Sequence, residues 1–452
     1  MRVPALSTSR DRQGAVTPVA YALGSSIAWY VELQSAVGYV FLPMLDRLDE
    51  IPWHTLTYAY GKASDTPGLI RRLASSSRLV RSHARDQLWF SIVHQGSVYD
   101  SSGYAVPFLV ELAASPDMQD GGEIPELLSA IACGCGWAQA HRRLILVQNA
   151  FTQEQLDEQE AAERGWLARI RDAFTEALPS LLTLLGDPDL SVRMSGAKLL
   201  AGVRQEVPPV VEAMKRAYER ESDMSARANL VLSVASLARK DELQFLRGAF
   251  DAHTAEPIVR VAAAVGIVDG VDGEPSRDVI QFLLDAISPI PNELEAAYDR
   301  LPMRNDDCPG KYLADIAWSL AVAPEATRSA AAQRVVEEIE SRDVWNDMTI
   351  GPGMLRLALF PLLQGDERAR ELKPKFSVET LDGVQRRAIA CVARRAWHGH
   401  TIFGNAVDVL QSHGLPGKPE EVEALVGRDV WAVPQGFRPR PPRTMKRWWQ
   451  FW

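Results

Sequence analysis

The sequence predicts an all-α fold, an α-solenoid of stacked antiparallel helix hairpins. Three observations predict it. Phe174, Ala177, Leu178, Leu181, Leu182 and Leu185 follow the i, i+3, i+4, i+7, i+8, i+11 spacing, a wide apolar stripe on one helix. An apolar–Arg pair followed by small residues recurs at Val192-Arg193, Ala226-Arg227 and Val259-Arg260, its arginines 34 and 33 residues apart. Strand signals, in contrast, are scarce along the whole chain.

The clearest hairpin runs from Phe174 to Val203. Gly186 reads as the stop of its first helix. Asp187-Pro188 then read as an N-cap acid and a proline at the first helical position. Val192, Gly196, Leu199, Leu200 and Val203 line one face of the second helix. A single hairpin cannot bury both stripes, so it must stack on neighbours. An earlier copy is Val80-Arg81 followed by Ala84, and a degenerate later one is Arg386-Arg387-Ala388 leading to Ala390. Helices are also expected over Tyr312–Val322, Arg328–Ile339, Met354–Leu363, Val384–Trp397 and Glu420–Val426. The charged stretch Gln153–Arg164 reads as a solvated helix or a loop insertion.

The run Leu185-Gly186-Asp187-Pro188-Asp189-Leu190-Ser191-Val192-Arg193-Met194-Ser195-Gly196-Ala197 resembles the inter-helix turn and second helix of HEAT repeats. The likeness is to the short bacterial kind first described in phycobilisome lyases. It is strongest over residues 170–270, weaker over 65–115 and faint over 310–430. The resemblance implies a HEAT-like superhelix over residues 44–430. It also implies structural roles for Arg81, Asp187, Asp189, Arg193, Arg227 and Arg260: small residues let the paired helices approach, while the acids and arginines tie successive repeats together.

Composition bounds the rest. The chain has 452 residues, 46% of them hydrophobic and 24% charged, with a mean hydropathy of −0.12, which fits a folded protein and excludes extensive disorder. Four cysteines make no disulfide framework and suggest a reducing, cytoplasmic setting. The net charge of −9 speaks against a generally basic nucleic-acid binder.

Both ends stand apart. Glu32 is the only charged residue between Ala15 and Leu45, and it divides the run into pieces of 17 and 13 residues. Both are shorter than the roughly 20 that a spanning helix needs. Residues 1–43 therefore read as an apolar N-terminal segment outside the folded domain, with Met44 as a candidate start. A membrane anchor and a cleaved signal are the alternatives. Residues 431–452 read as a basic, aromatic tail carrying Arg438, Arg440, Arg443, Lys446 and Arg447 among Trp431, Phe437, Trp448, Trp449, Phe451 and Trp452. Such a tail could dock on an anionic membrane, a nucleic acid or an acidic groove, or remain a disordered end.

The leading candidate site is an aromatic–polar cluster of the N-terminal repeats: Trp53, His54, Tyr58, Trp89, His94, Gln95, Tyr99 and Tyr104, with Tyr60 beside them. Aromatics with polar tips suit binding surfaces, and the alternative is a cap over the end of the array. His94-Gln95-Gly96 reads as a turn between two helices, with Gly96 closing the first. Three further groups carry residue types suited to metal or nucleophile chemistry and read as structural: Cys133, Cys135 and His141; Cys391, His398 and His400; and Asp306-Asp307-Cys308-Pro309-Gly310. Each lacks a full ligand set, and no phosphate loop or hydrolase motif is present.

The expectation is therefore a non-catalytic scaffold with no cofactor, binding an unidentified protein partner on a concave face. Nucleic acid is disfavoured, and membrane contact would run through either end. The alternatives are a HEAT-like enzyme, DNA glycosylase-like or bilin lyase-like, and a membrane-associated adaptor.

Overall fold

A computed structural model describes residues 43–115, 121–142, 147, 150–204, 207–252, 256–271, 274–304, 310–342, 347–359, 379–398, 410 and 414–431. Over these the chain is mostly helical, with only two β-hairpins of two-residue strands. No described helix is long and apolar enough to cross a membrane. The apolar segment 1–42 and the tail beyond Trp431 lie outside the described residues.

The N-terminal part opens with a 3-10 helix, Pro43–Glu50. Strands β1 (Thr57–Tyr58) and β2 (Gly61–Lys62) form the first hairpin. Helices α1 (Thr66–Leu73) and α2 (Arg78–Ser91) follow. Strands β3 (Val93–His94) and β4 (Ser97–Val98) form the second hairpin. The predicted helix–helix turn at His94-Gln95-Gly96 is thus a two-residue β-turn. Helix α2 has already ended at Ser91, and Gln95 and Gly96 both take positive φ, +50° and +77°, as the twist of a tight hairpin requires. Helices α3 (Asp100–Ala114), α4 (Glu123–Cys133) and α5 (Trp137–His141) complete this part.

The central helices are α6 (Gln153–Thr183), α7 (Leu190–Gly202), α8 (Val207–Arg220), α9 (Met224–Ala238), α10 (Leu243–Asp251) and α11 (Pro257–Gly270). The C-terminal ones are α12 (Arg277–Asp285), α13 (Asn292–Asp299), α14 (Lys311–Leu320), α15 (Glu325–Glu340), α16 (Asp347–Leu359), α17 (Gly383–His398), α18 (Pro419–Val426) and α19 (Arg428–Trp431). The helices expected after residue 310 form with ends shifted by up to three residues, except that the one expected over Met354–Leu363 begins at Asp347 and its expected last residues, 360–363, lie outside the described residues.

Two kinds of helix alternate, and the sequence explains why. Helices α9 and α11 are nearly continuous runs of Ala, Val, Leu and Ile, so they are buried all round. Helices α10 and α12 are amphipathic and bury only a stripe, Leu246, Ala249 and Phe250 in one and Val279, Ile280, Leu283 and Leu284 in the other. The buried kind packs in succession: α4 on α7, α7 on α9, α9 on α11, α11 on α14, α14 on α16 and α16 on α17. Helix α9 separates two hydrophobic cores. Leu230 and Val234 face the N-terminal core, while Val231, Leu232 and Ala235 face the C-terminal one. Each fully buried Leu or Val contributes about 1.5–3 kcal/mol of transfer free energy. Close approach needs small residues: a Cβ on Gly266 of α11 would stand 2.8 Å from the Cβ of Ala235 on α9.

Three of the recurring arginines share one use. Near the start of its helix, the guanidinium reaches back to a backbone carbonyl of the preceding turn or, for Arg260, of the last turn of helix α10. Arg81 donates to the Ser75 carbonyl at 2.8 Å, Arg193 to those of Asp187 and Pro188 at 2.9 and 3.1 Å, and Arg260 to that of Phe250 at 3.2 Å. Arg328, unmarked by the sequence pattern, does the same to Ala323 at 3.1 Å. Arg227 instead lies over the Tyr218 ring, 4.3 Å from its centre. These bonds occupy carbonyls that would otherwise end a helix or turn without a partner.

Two details differ from expectation. The N-cap of α7 is Asp189, which accepts the Ser191 N–H at 2.7 Å, so Pro188 lies before the helix and not in its first turn. Asp187 instead accepts the Asp189 N–H at 2.8 Å. The acid that pairs with Arg193 is Glu221, 2.8 Å from Nε at the far end of the next hairpin's first helix.

Candidate functional site

The N-terminal candidates fall into two sets. Trp53 is 4% exposed and donates its indole N–H to the Leu48 carbonyl at 2.7 Å, so it is core and offers no surface. Tyr58 and Tyr104 are half-buried, Tyr104 beneath the Arg169 guanidinium, 4.4 Å from the ring centre. His54 and Gln95 are exposed, and so are Tyr60, Trp89 and Phe90.

His94 and Tyr99 belong to a seam that the sequence did not reveal. The segment around Cys135 runs alongside β4: the Val98 N–H donates to the Cys135 carbonyl at 2.9 Å, and the Cys135 N–H to the Gly96 carbonyl at 3.0 Å. The aromatic cluster and the Cys133–His141 group, far apart in sequence, are therefore neighbours. Tyr60 meets His94 edge-on at 5.3 Å, and Trp137 stacks on His141 at 5.4 Å. Glu163, 1% exposed, closes the seam from α6. Both of its oxygens accept the Ala138 N–H, at 3.0 and 3.1 Å, so a carboxylate caps the positive end of α5. Gly136 must be glycine here, since a Cβ would overlap that carboxylate. The charged stretch Gln153–Arg164 is thus not simply a solvated face.

The chemistry of the seam is quiet. Burial, then the Glu163 charge, pushes the Cys135 thiol up, away from the reactive thiolate. Burial, then the charge of His141, lowers the His94 pKa and favours the neutral ring. Burial, then Tyr60 and Glu163, pushes Tyr99 up to about 12. His141 Nδ1 lies 2.9 Å from the Trp137 carbonyl, so that nitrogen carries the proton. The backbone and the Glu163 carboxylate of the seam serve one another, while the buried Ser97 hydroxyl of β4 has no partner.

A second polar cluster lies between α11, α14 and the turn after α13. Val265 and Asp269 of α11, Arg304, and Asp315, Trp318 and Ser319 of α14 line a cavity of about 260 Å³. Its floor is ionic. The Tyr298 hydroxyl donates to Asp315 Oδ2 at 2.8 Å, and Arg304 Nε lies 2.8 Å from the same oxygen. The Arg304 Nε–H is not aligned for a hydrogen bond, so that contact is an ion pair. Burial, partly offset by Arg304, raises the Asp315 carboxyl above the usual carboxylate range. Trp318 is 44% exposed, and the Arg356 guanidinium of α16 lies 4.1 Å from its ring centre. Arg356 is held below its usual value by burial. The local signal was the i, i+3, i+4 spacing of Asp315, Trp318 and Ser319 on one face of an otherwise apolar helix.

Among the described residues no group of three or more His, Cys, Asp or Glu side chains is placed to hold a metal ion. Cys391 is buried on α17, its thiol pushed up to about 12 by burial and then by Glu340. Asp306, Asp307, Cys308, Pro309 and His400 lie outside the described residues.

No protein-family profile matches the chain, and no curated protein matches it. Among solved structures, the crystal structure of an engineered protein is similar over 81% of this chain and 99% of its own, at 17% identity and a TM-score of 0.27. A likeness that slight decides neither fold nor function.

Proposed function

We propose that the chain is a HEAT-like α-solenoid of the short bacterial repeat kind, acting as a non-catalytic scaffold for a protein partner. The observation that supports it best is the recurrence of one device. Arg81, Arg193 and Arg328 each bond a carbonyl of the turn before them, Arg260 one in the last turn of the preceding helix, and the buried helices pack in succession. Repetition of a hairpin and its lock is what a stacked array needs, and such an array presents a long surface suited to binding.

An apolar surface suits that role. Of the large apolar side chains exposed among the described residues, Leu79, Trp89 and Phe90 all stand on α2, with Leu79 83% exposed. Exposed apolar groups gathered on one helix mark interaction surfaces. The DNA glycosylase-like alternative calls for a basic groove with a buried carboxylate. Asp315 beside Trp318 gives the carboxylate, but Asp269 and Asp315 offset Arg304 and Arg356, so the site is not basic.

Two measurements test the proposal. Small-angle scattering of the full chain should give a radius of gyration well above the ~22 Å of a compact domain of this length, and a compact value removes the solenoid. Affinity capture from the native host should recover a partner that a Leu79→Asp/Phe90→Asp variant loses while its melting temperature stays unchanged. Equal recovery by both proteins, or no partner under gentle conditions, removes the α2 scaffold reading.

A further inference from the structure

We infer that the cavity between α11, α14 and the turn at Arg304 binds a small uncharged polyhydroxy molecule, the size of one sugar unit. This site is separate from the α2 surface and does not rest on the scaffold reading.

Size comes first. A half-open cavity of about 260 Å³ matches one small molecule in size. Charge narrows the class. Among the described residues the lining carries two carboxylates, Asp269 and Asp315, and one guanidinium, Arg304, while Arg356 stacks on the Trp318 ring beside it. The charge of Asp269 bears on both arginines, and Arg304 is already paired with Asp315 at 2.8 Å. An anion would face two carboxylates, and an ion of either sign would compete with that pair. A hydroxyl does neither. It donates to a carboxylate and accepts from a guanidinium at once, so neighbouring hydroxyls can engage both without changing the net charge.

The remaining walls suit the same class. Trp318 lines the cavity and is 44% exposed, a flat apolar surface for the C–H face of a ring. Arg356, stacked on that indole, helps to hold its orientation. Ser319 is the most telling wall. It lines the cavity, it is 2% exposed, and its Oγ has no hydrogen-bond partner. Thr66, Ser97, Ser101 and Ser129 also carry buried hydroxyls without partners, but of these five only Ser319 lines the cavity. An apolar ligand would leave this one unpaired, whereas a ligand hydroxyl completes it.

The test uses the full chain with D-glucose, D-mannose, D-ribose and myo-inositol as probes, and glycine and inorganic phosphate as charged controls. Saturation-transfer NMR or calorimetry should detect at least one neutral probe and neither control. Ser319→Ala, which removes an unpartnered group, should keep the fold yet weaken that probe by about threefold to tenfold, the worth of one hydrogen bond. Asp269→Asn, at the exposed rim, should weaken it by a similar factor. The methyl glycoside of the bound sugar separates two sources: equal binding points to a glycan end, and lost binding to the free sugar. Preferential binding of glycine or phosphate overturns the proposal. So does silence from every neutral probe at tens of millimolar, or binding that is indifferent to both variants.

Discussion

The seam around Glu163 and the cavity around Asp315 are two answers to the same problem. Each places a carboxylate among packed helices, with an aromatic hydroxyl and a cation or backbone dipole nearby. At Glu163 both oxygens serve the Ala138 N–H, and one also accepts from Gln159 at 3.0 Å. At Asp315 the bonds converge on Oδ2, the neighbouring Arg304 Nε–H is misaligned, and Ser319 has no partner. A saturated carboxylate holds a fold together, whereas an unsaturated one beside a cavity is open to a ligand. Of the aromatic candidates in the sequence, His94 and Tyr99 belong to the Glu163 seam, whereas Trp53 is core and Trp89 is exposed.

The largest effect should come from breaking the ionic floor of the cavity. Arg304→Met leaves Asp315 in a largely enclosed place without its cation, which costs about 3–5 kcal/mol at neutral pH. The sign with pH follows from the carboxyl's raised pKa. Ionised Asp315 is the disfavoured form, so the loss is full above its folded pKa and shrinks as pH falls and the group takes up a proton. Denaturant unfolding at neutral pH and at about pH 4 checks both the size and the trend. A loss under about 1 kcal/mol at neutral pH would mean that the floor behaves as a surface pair. Glu163→Ala should come next. It strips the Ala138 N–H of a charged acceptor and costs about 1.5–3 kcal/mol. Unlike the arginine variant, it should leave binding at the cavity unchanged.

A smaller effect separates the clusters by pH. Tyr99 sits at the seam with a pKa of about 12 against its usual 10.0. The folded chain therefore favours the neutral phenol. That contribution is complete below pH 10.0 and is lost as pH rises through about 12. Tyr99→Phe should flatten the fall of melting temperature across that window and leave neutral pH nearly untouched. An unchanged alkaline slope would mean that the phenol is solvated and the seam is open.

Much of the fold was legible because helical period survives in a single stretch of sequence. The stripe from Phe174 to Leu185 and the runs after residue 310 form helices near where expected. Arg81, Arg193 and Arg260 share one lock because each sits at the same place in its hairpin. The β-hairpins were not legible. Two residues per strand are too few for an alternating pattern, and the second hairpin turns on Gln95 with a positive φ, an uncommon choice. Glu163 was hidden for another reason: its partner, Ala138, arrives from 25 residues away, and nothing in a charged stretch marks the one carboxylate that will be buried. The cavity shared that difficulty, since Asp269, Arg304 and Asp315 meet only through packing.

The finest test compares two buried serines. Ser102, fully buried at the seam, donates to the Ile92 carbonyl at 2.6 Å and accepts the Tyr99 N–H at 2.9 Å. Ser319, 2% exposed at the cavity, has no partner. Replacement by alanine removes the same atom from both. At Ser102 it orphans a buried donor and a buried acceptor, so about 1–2 kcal/mol should be lost. At Ser319 it removes a desolvated hydroxyl that bonds nothing in the folded chain, so stability should stay within about 0.5 kcal/mol or rise slightly. Parallel denaturant titrations of the two variants measure the difference directly. Equal losses would mean that Ser319 has found a partner within the protein, and the distinction between a bonded serine and one with an unmet hydroxyl would disappear. A loss at Ser102 alone leaves the Ser319 hydroxyl as the group held ready for something from outside.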